Sequence, residues 1–387
     1  MTKDGLLTRG IAKVIPQKLA EEKLASGKKL RMYWGIDPTG ANIHLGHAVP
    51  LRKMQAFADA GHEVIFLVGS FTAMIGDPSG RDAMREPLTK KQVEKNFQDY
   101  KKQASKVLNF KKIKVAYNHK WLEKLSFKDI LKLTSEFTVN QMMERDMFER
   151  RLKEGMPVSL TEFMYPLMVG YDSVMLDVDV ELGGTDQEFN MLAGRTLQKA
   201  FGKREKFIMT MKLLEGTDGR KMSKSYDNCI YLTDSAKDMF GKTLSIKDEL
   251  ITTYMECCTD ISMEEIADVE KAMKKGANPK EFKVRLAKEL VTMYHSKKEA
   301  DAAEEEFSNV FAKGGVPDDM PEVKAEKGEL LIDLLVRAKI LTSKSEARRL
   351  IEQKAVTMND VLVDAFDVKA EAGVTKVGKR KFVKIFF

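Results

Sequence analysis

Residues 32–69 constrain the fold more than any other stretch. Met32-Tyr33-Trp34-Gly35-Ile36 is a short apolar run that stops at Asp37-Pro38-Thr39-Gly40, a strand followed by a loop. A helix is predicted from near His44 to Ala60, because Leu51, Met54 and Ala58 fall at i, i+3 and i+7 on one face. Gly61 is placed to end it, since a left-handed cap suits glycine. Pro50 is expected within the first helical turn, where its missing N–H costs little. Glu63 to Gly69 reads as a second, apolar strand, as a strand covered on both faces should be. A strand-helix-strand unit implies parallel pairing, so the fold class is α/β with a parallel sheet.

The rest of the chain divides by texture. Asp77-Pro78-Ser79-Gly80 is the loop leaving the second strand. Residues 89–153 read as mainly helical, with a basic solvated face. Mixed structure returns from Thr161 to Phe201, with Val178 to Leu182 as a strand ending at Gly183-Gly184. After Ser225 the pattern is helical: Asn278 and Pro279 are an N-cap and first-turn proline, and Phe282, Leu286, Leu290 and Tyr294 form a core stripe. The polar stretch Gly314 to Lys327 reads as a linker. A small α+β module follows, with a Leu330–Leu335 helix and a second helix opened by a Ser343/Glu346 capping box. Strands flank Asn359-Asp360, and a basic strand closes the chain from Lys379. The expected domains are therefore 1–225, 226–327 and 328–387.

Composition removes whole classes. Of 387 residues, 43% are apolar and 32% charged, which suits a globular protein with an ample core. No apolar run approaches the ~18 residues needed to span a bilayer, and the N-terminus lacks the apolar segment of a secretion signal. Cys229, Cys257 and Cys258 have neither disulfide nor metal spacing, which fits a reducing cytoplasm. The net charge is +7, and residues 328–387, with 12 Lys/Arg against 8 Asp/Glu, hold +4 of it. That surplus hints at a polyanionic partner.

Two short motifs carry chemistry. His44-Leu45-Gly46-His47 opens the first helix. Histidines at i and i+3 project from one face. Gly46 lets a flat ligand approach the backbone, and a helix N-terminus favours phosphate. Two imidazoles there can donate hydrogen bonds to charge that develops during transfer. The second motif is Gly219-Arg220-Lys221-Met222-Ser223-Lys224-Ser225, suited to a loop that closes on phosphates. Either motif alone recurs by chance; the pair, with Lys221 174 residues beyond His47, leaves little room for coincidence.

At these residues the chain resembles class I aminoacyl-tRNA synthetases, and over essentially its whole length it is similar to bacterial tyrosyl-tRNA synthetases. Tyr33 to Thr39, Gly76 to Gly80, Tyr171-Asp172 and Gly183-Gly184-Thr185-Asp186-Gln187 carry that likeness, and the final module resembles an S4-type RNA-binding domain. The resemblance implies a Rossmann-like catalytic domain with a helical, dimer-forming insertion, then a helical tRNA-binding domain.

It also implies residue roles. Tyr33 and Asp172 would hold a substrate phenol, and Tyr165 and Asp77 its amino group, with Gln187 beside the reacting carboxylate. A site built to bond a hydroxyl rejects the analogue lacking it, a rule whose established example is a tyrosyl enzyme against phenylalanine. Gly35, Asp37, Gly46, Gly184 and Asp186 would line the nucleotide. Thr39, His44 and His47 would meet its phosphates. Arg81 and Arg85 belong to one basic loop; Lys221, Ser223, Lys224 and Ser225 belong to its counterpart. Lys344, Arg348 and Arg349 would face tRNA. Expected partners are L-tyrosine, ATP, tRNA(Tyr) and a second copy of the chain, with Mg²⁺ on ATP and pyrophosphate and no metal held by the protein.

One position departs from the pattern: Val169 stands where the family usually has glutamine as an amino-group ligand. A ligase for another aromatic amino acid, and an RNA-binding paralogue without ligase activity, are the alternatives.

Overall fold

The computed structural model describes residues 3–38, 42–77, 88–144, 146–309, 320–378 and 381–387. They form two compact units, Met1–Asp301 and Ala302–Phe387. The first holds a six-stranded sheet of β1 (Ile11–Ile15), β2 (Arg31–Ile36), β3 (Glu63–Val68), β4 (Ile113–Tyr117), β5 (Val180–Gly184) and β6 (Phe207–Met211), in the order β1-β6-β5-β2-β3-β4. All pairings are parallel except β1 with β6. The helix between β2 and β3 spans Leu45–Asp59, with Ala60 as its C-cap and Gly61 at φ 88°. Its inner face, including Leu51, Met54, Phe57 and Ala58, is buried, which is why the apolar spacing of the sequence forces a crossover onto the sheet.

The strand order reverses at β2. The chain goes from β2 outward to β3 and β4, then returns to β5 on the other side of β2 and continues to β6. Loops leaving the carboxyl ends of β2 and β5 therefore diverge and leave a crevice between them, the general ligand position of open α/β sheets. Behind it lie two helices, Leu160–Leu176 and Glu188–Ala200.

Several expectations need correction. Ile113–Tyr117 is a strand inside a stretch read as mainly helical; its alternation is short and buried at one end only, among lysines that suggested a solvated helix. Pro50 lies beyond the first turn, so the helix forgoes the N–H that would bond Gly46's carbonyl. The stretch read as a linker contains β7 (Glu322–Lys324), which pairs parallel to the last strand and packs Val323 on the core; residues 314–319 lie outside those described.

The second unit has a five-stranded sheet, ordered β7-β11-β10-β8-β9, where β8 is Val356–Met358, β9 Val361–Leu362, β10 Gly373–Val377 and β11 Lys381–Phe386. Helices Leu331–Arg337 and Lys344–Glu352 cover it, burying Leu331, Leu334, Leu335 and Ile351 with Val356, Val383 and Ile385. The capping box forms by half: Ser343 Oγ accepts from Glu346 N, but the Glu346 carboxylate reaches back to Thr342 instead.

Candidate active site

His44 is the N-cap of the Leu45–Asp59 helix, and its backbone N–H points to His47 Nδ1 at 3.4 Å. The two imidazoles stack with centroids 3.8 Å apart. A side chain at Gly46 would meet the His44 ring at 3.1 Å, so glycine there is what lets the ring fold over the helix start. Burial, then the neighbouring His47 and Lys221, pull His44 down to about 2; burial and Lys221 pull His47 down to about 4. Both rings are neutral near pH 7. His44 Nδ1 is buried without a hydrogen-bond partner among the described residues.

The two motifs are built against each other. Leu45 N donates to Ile230 O at 2.9 Å and Leu232 N to Ile43 O at 2.9 Å, so the chain after the second motif is laced to the entry of the first. Residues 214–228 fold back on themselves, with Met222 N bonded to Leu214 O and Thr217 N to Asn228 O. Asn228 is the hub: its Oδ1 accepts from Ser223 N, and its Nδ2 donates to Asp218 Oδ1 and to the Arg220 and Lys221 carbonyls. The side chains of Lys221, Lys224 and Ser225 are thereby left exposed, with Ser223 half-buried. Lys221 pairs with Asp186 at 2.9 Å, bringing the loop to the turn Thr185–Gln187 that follows β5.

A polar relay runs beneath the crevice. Tyr165 donates to Asp37 Oδ2 at 2.7 Å, and Thr72 to Asp37 Oδ1 at 2.7 Å. Asn118 donates to Thr72 Oγ1 and to Asp172 Oδ2, and Trp121 Nε1 donates to Asp172 Oδ1 at 2.7 Å. Tyr165, Val169 and Asp172 share one face of the Leu160–Leu176 helix by their spacing of four and three. Gln187 Nε2 donates to Asp77 Oδ2, while Asn190 donates to Gln187 Oε1. Burial raises the Asp172 carboxyl well above the usual range against the pull of its two donors, with the charges of Asp37 and Glu181 adding to the rise. Tyr33 is 1% exposed, and its hydroxyl meets Ser173 Oγ and Glu181.

Comparison with known proteins decides the family. A family model described as tRNA synthetases class I (W and Y) matches residues 25–312, and one for the tyrosine–tRNA ligase C-terminal domain matches residues 312–384. This chain belongs to the tyrosyl-tRNA synthetase family. Among its relatives, the tyrosine–tRNA ligase of Burkholderia mallei is 47% identical over 100% of this chain and 94% of its own. That of Carboxydothermus hydrogenoformans is 46% identical, with 99% and 97% covered. Tyrosine–tRNA ligase 2 of Vibrio vulnificus is 45% identical over 98% and 97%. The fold matches solved synthetases at low identity. The truncated mitochondrial tyrosyl-tRNA synthetase of Aspergillus nidulans has a TM-score of 0.65 at 24% identity, covering 78% of this chain and 91% of its own. The Archaeoglobus fulgidus synthetase, complexed with L-tyrosine, has 0.62 at 21%, covering 78% and 98%.

Within this family member, the crevice gathers His44, His47, Gly46, Asp37, Tyr165, Asp77, Gln187, Gly184, Asp186 and Lys221. Gly35 is exposed at the end of β2, and Val169 is half-buried. Thr39, Arg81 and Arg85 lie outside the described residues. In the second unit Lys344, Arg348 and Arg349 are exposed on one helix; Lys344 pairs with Asp333, and Arg348 lies over the Phe366 ring. Sequence reading missed Thr72, Asn118, Trp121, Ser173, Glu181, Lys206 and Asn228. Trp121, one of two tryptophans, and Asn118 just before its helix offered the only local signal.

Proposed function

We propose that this synthetase joins L-tyrosine to ATP, releasing pyrophosphate, and passes the tyrosyl group from tyrosyl-adenylate to tRNA(Tyr), releasing AMP. The observation that carries the reading is the junction of both phosphate-directed motifs with a carboxylate-lined pocket at the point where the sheet order reverses. A carboxylate oxygen of tyrosine attacks the α-phosphorus of ATP in line, and the bond to the β-phosphate oxygen breaks. No side chain bonds covalently to the substrate, so catalysis is positioning and charge stabilisation.

Neutral His44 and His47 suit donation of N–H bonds to phosphate oxygens. Lys221 and Lys224 supply positive charge that follows pyrophosphate, Lys221 exchanging Asp186 for phosphate. Ser223 and Ser225 offer hydroxyls on the same loop. Asp37, Gly184 and Asp186 face the nucleoside. Asp77, Tyr165 and Gln187 surround the amino group, and Tyr33 and Asp172 the phenol. Mg²⁺ would arrive on the ATP phosphates; among the described residues no cluster of three His, Cys, Asp or Glu could hold a metal. Val169, with no acceptor to offer an ammonium, favours a second reading in which another aromatic amino acid is the substrate.

The region 226–327 and the module 328–387 would serve tRNA, through Lys344, Arg348 and Arg349 on the latter. A homodimer is supported by Phe127, Leu131, Val139 and Leu160, large apolar side chains exposed by 54–82% close together in sequence. No helix of the described residues is long and apolar enough to cross a membrane, and three free, buried cysteines suit a cytoplasmic setting. Charging of tRNA(Tyr) with labelled tyrosine tests the function: ATP-dependent, acid-stable label on the tRNA supports it, and its absence refutes it.

A further inference from the structure

A second polar cluster lies beneath the pocket. The parallel register sets Tyr33 of β2 beside Glu181 of β5, so both side chains leave the sheet on the same face. Tyr33 donates to Glu181 Oε1 at 2.5 Å. Lys206, which is fully buried just before β6, pairs with Glu181 Oε2 and donates to Ser173 Oγ at 2.6 Å. Ser173 in turn lies 2.9 Å from the Tyr33 hydroxyl and 3.1 Å from Glu181 Oε2. All four residues are at most 3% exposed.

A buried ion pair is no bargain for stability. Its desolvation offsets most of the attraction, and apolar side chains of equal volume often serve as well. The fold nonetheless makes room for this one. Gly194 sits in the middle of the Glu188–Ala200 helix, where glycine is unfavourable, and a Cβ there would fall 2.5 Å from Lys206 Nζ and 2.6 Å from Ser173 Oγ.

We propose that Lys206 and Glu181, with Ser173, are positioning residues for substrate recognition: they hold the Tyr33 proton inward, so that its oxygen faces the substrate phenol only as an acceptor. A tyrosine hydroxyl has one proton. Lys206 beside Glu181 keeps that carboxyl an acceptor, which commits the Tyr33 proton to it. Asp172 receives Trp121 on one oxygen and Asn118 on the other and keeps lone pairs on both, so beside it Tyr33 adds a second acceptor and no donor. The pocket then demands a donor from the amino-acid ring, which phenylalanine lacks. This assignment rests on Tyr33 meeting the phenol, as read above.

The test compares tyrosine and phenylalanine in ATP–pyrophosphate exchange for the full chain, Tyr33→Phe, and the paired variant Glu181→Gln with Lys206→Met, which removes both charges and keeps the volume. Gly194→Ala, which crowds the cluster while leaving its charges, is the second variant, and thermal melts check folding. The paired variant should lose about 10- to 100-fold in kcat/KM for tyrosine, mostly in KM, as expected for one hydrogen bond to a remote substrate group. Phenylalanine activation and the KM for ATP should stay within about twofold. Gly194→Ala should shift the tyrosine-to-phenylalanine ratio in the same direction. Equal losses for both amino acids would mean the cluster merely supports the fold, and an unchanged ratio would mean it does nothing for recognition; either overturns the proposal. If Tyr33→Phe itself leaves the ratio intact, the phenol reading of Tyr33 fails and the inference falls with it. If Tyr33→Phe collapses the ratio and the paired variant does not, the inference alone fails.

Discussion

The imidazoles of His44 and His47 lie 3.8 Å apart with their planes 23° from parallel, one turn apart at the mouth of a helix. Two charged rings could not stack in this way, and both are held neutral, mainly by burial. Of the five histidines, these two should keep neutral ring shifts in an NMR titration from pH 8 down to about 5.5. His44→Asn and His47→Asn would assign the signals. Inflections near 6.5 from either residue would contradict the geometry. The linkage has a definite sign. Below the ordinary value of 6.5 the unfolded chain takes up protons that the folded chain refuses. These rings therefore cost stability progressively as pH falls from 6.5 toward about 4 for His47 and about 2 for His44, and none above.

Asn228 ties the lysine-bearing loop together through four hydrogen bonds at 2.7–3.3 Å. Asn228→Ala should cost about 1–3 kcal/mol locally, since it strands the half-buried Ser223 N–H and the Lys221 carbonyl, while the Arg220 carbonyl keeps its bond from Gly216 N. Trypsin should then cut faster at Arg220, Lys221 and Lys224, and the rate of adenylation should fall while the tyrosine dissociation constant stays put. Unchanged proteolysis would show that the loop holds its shape without Asn228.

Val169 stands one turn from Tyr165 on the pocket face of its helix. Gln187 gives its amide N–H to Asp77 and receives Asn190 on its oxygen, which leaves that oxygen one lone pair for an ammonium. Val169→Gln should add a bond to the substrate ammonium worth about 1.5–3 kcal/mol, tightening tyrosine about tenfold or more. Equilibrium dialysis of tyrosine with both forms measures this. Weaker binding by the glutamine form would mean that Val169 is an apolar wall for a different pose or amino acid.

The sheet of the second unit begins at Glu322, so deletion of 320–387 removes that sheet and the helices that cover it. Such a truncation should form tyrosyl-adenylate at the full rate and lose most tRNA charging. In the full chain, charging should weaken steeply with added salt, because phosphate contacts release counterions. Normal charging by the truncated form would remove the RNA-binding role from Lys344, Arg348 and Arg349.

The signatures were legible because each is local. His44 and His47 need only one helical turn, and Lys221 to Ser225 only one loop. The strand-helix-strand unit was legible because β2, its helix and β3 each carry their own periodicity. The support behind the site was not, since its partners come from distant segments. Asp172 is satisfied by Asn118 and Trp121, more than 50 residues away in sequence. Lys206 looked like any lysine before a strand, and only the β2–β5 register sets Glu181 beside Tyr33. β4, at the sheet edge with lysines in and around it, carries little apolar signal of its own.

Activation of tyrosine in this crevice has a direct readout. ATP–pyrophosphate exchange by the full chain, run separately with each of the twenty amino acids, addresses it most directly. Robust exchange is expected with tyrosine and at most a trace with phenylalanine or tryptophan. Exchange driven by another amino acid, with tyrosine inert, would contradict it.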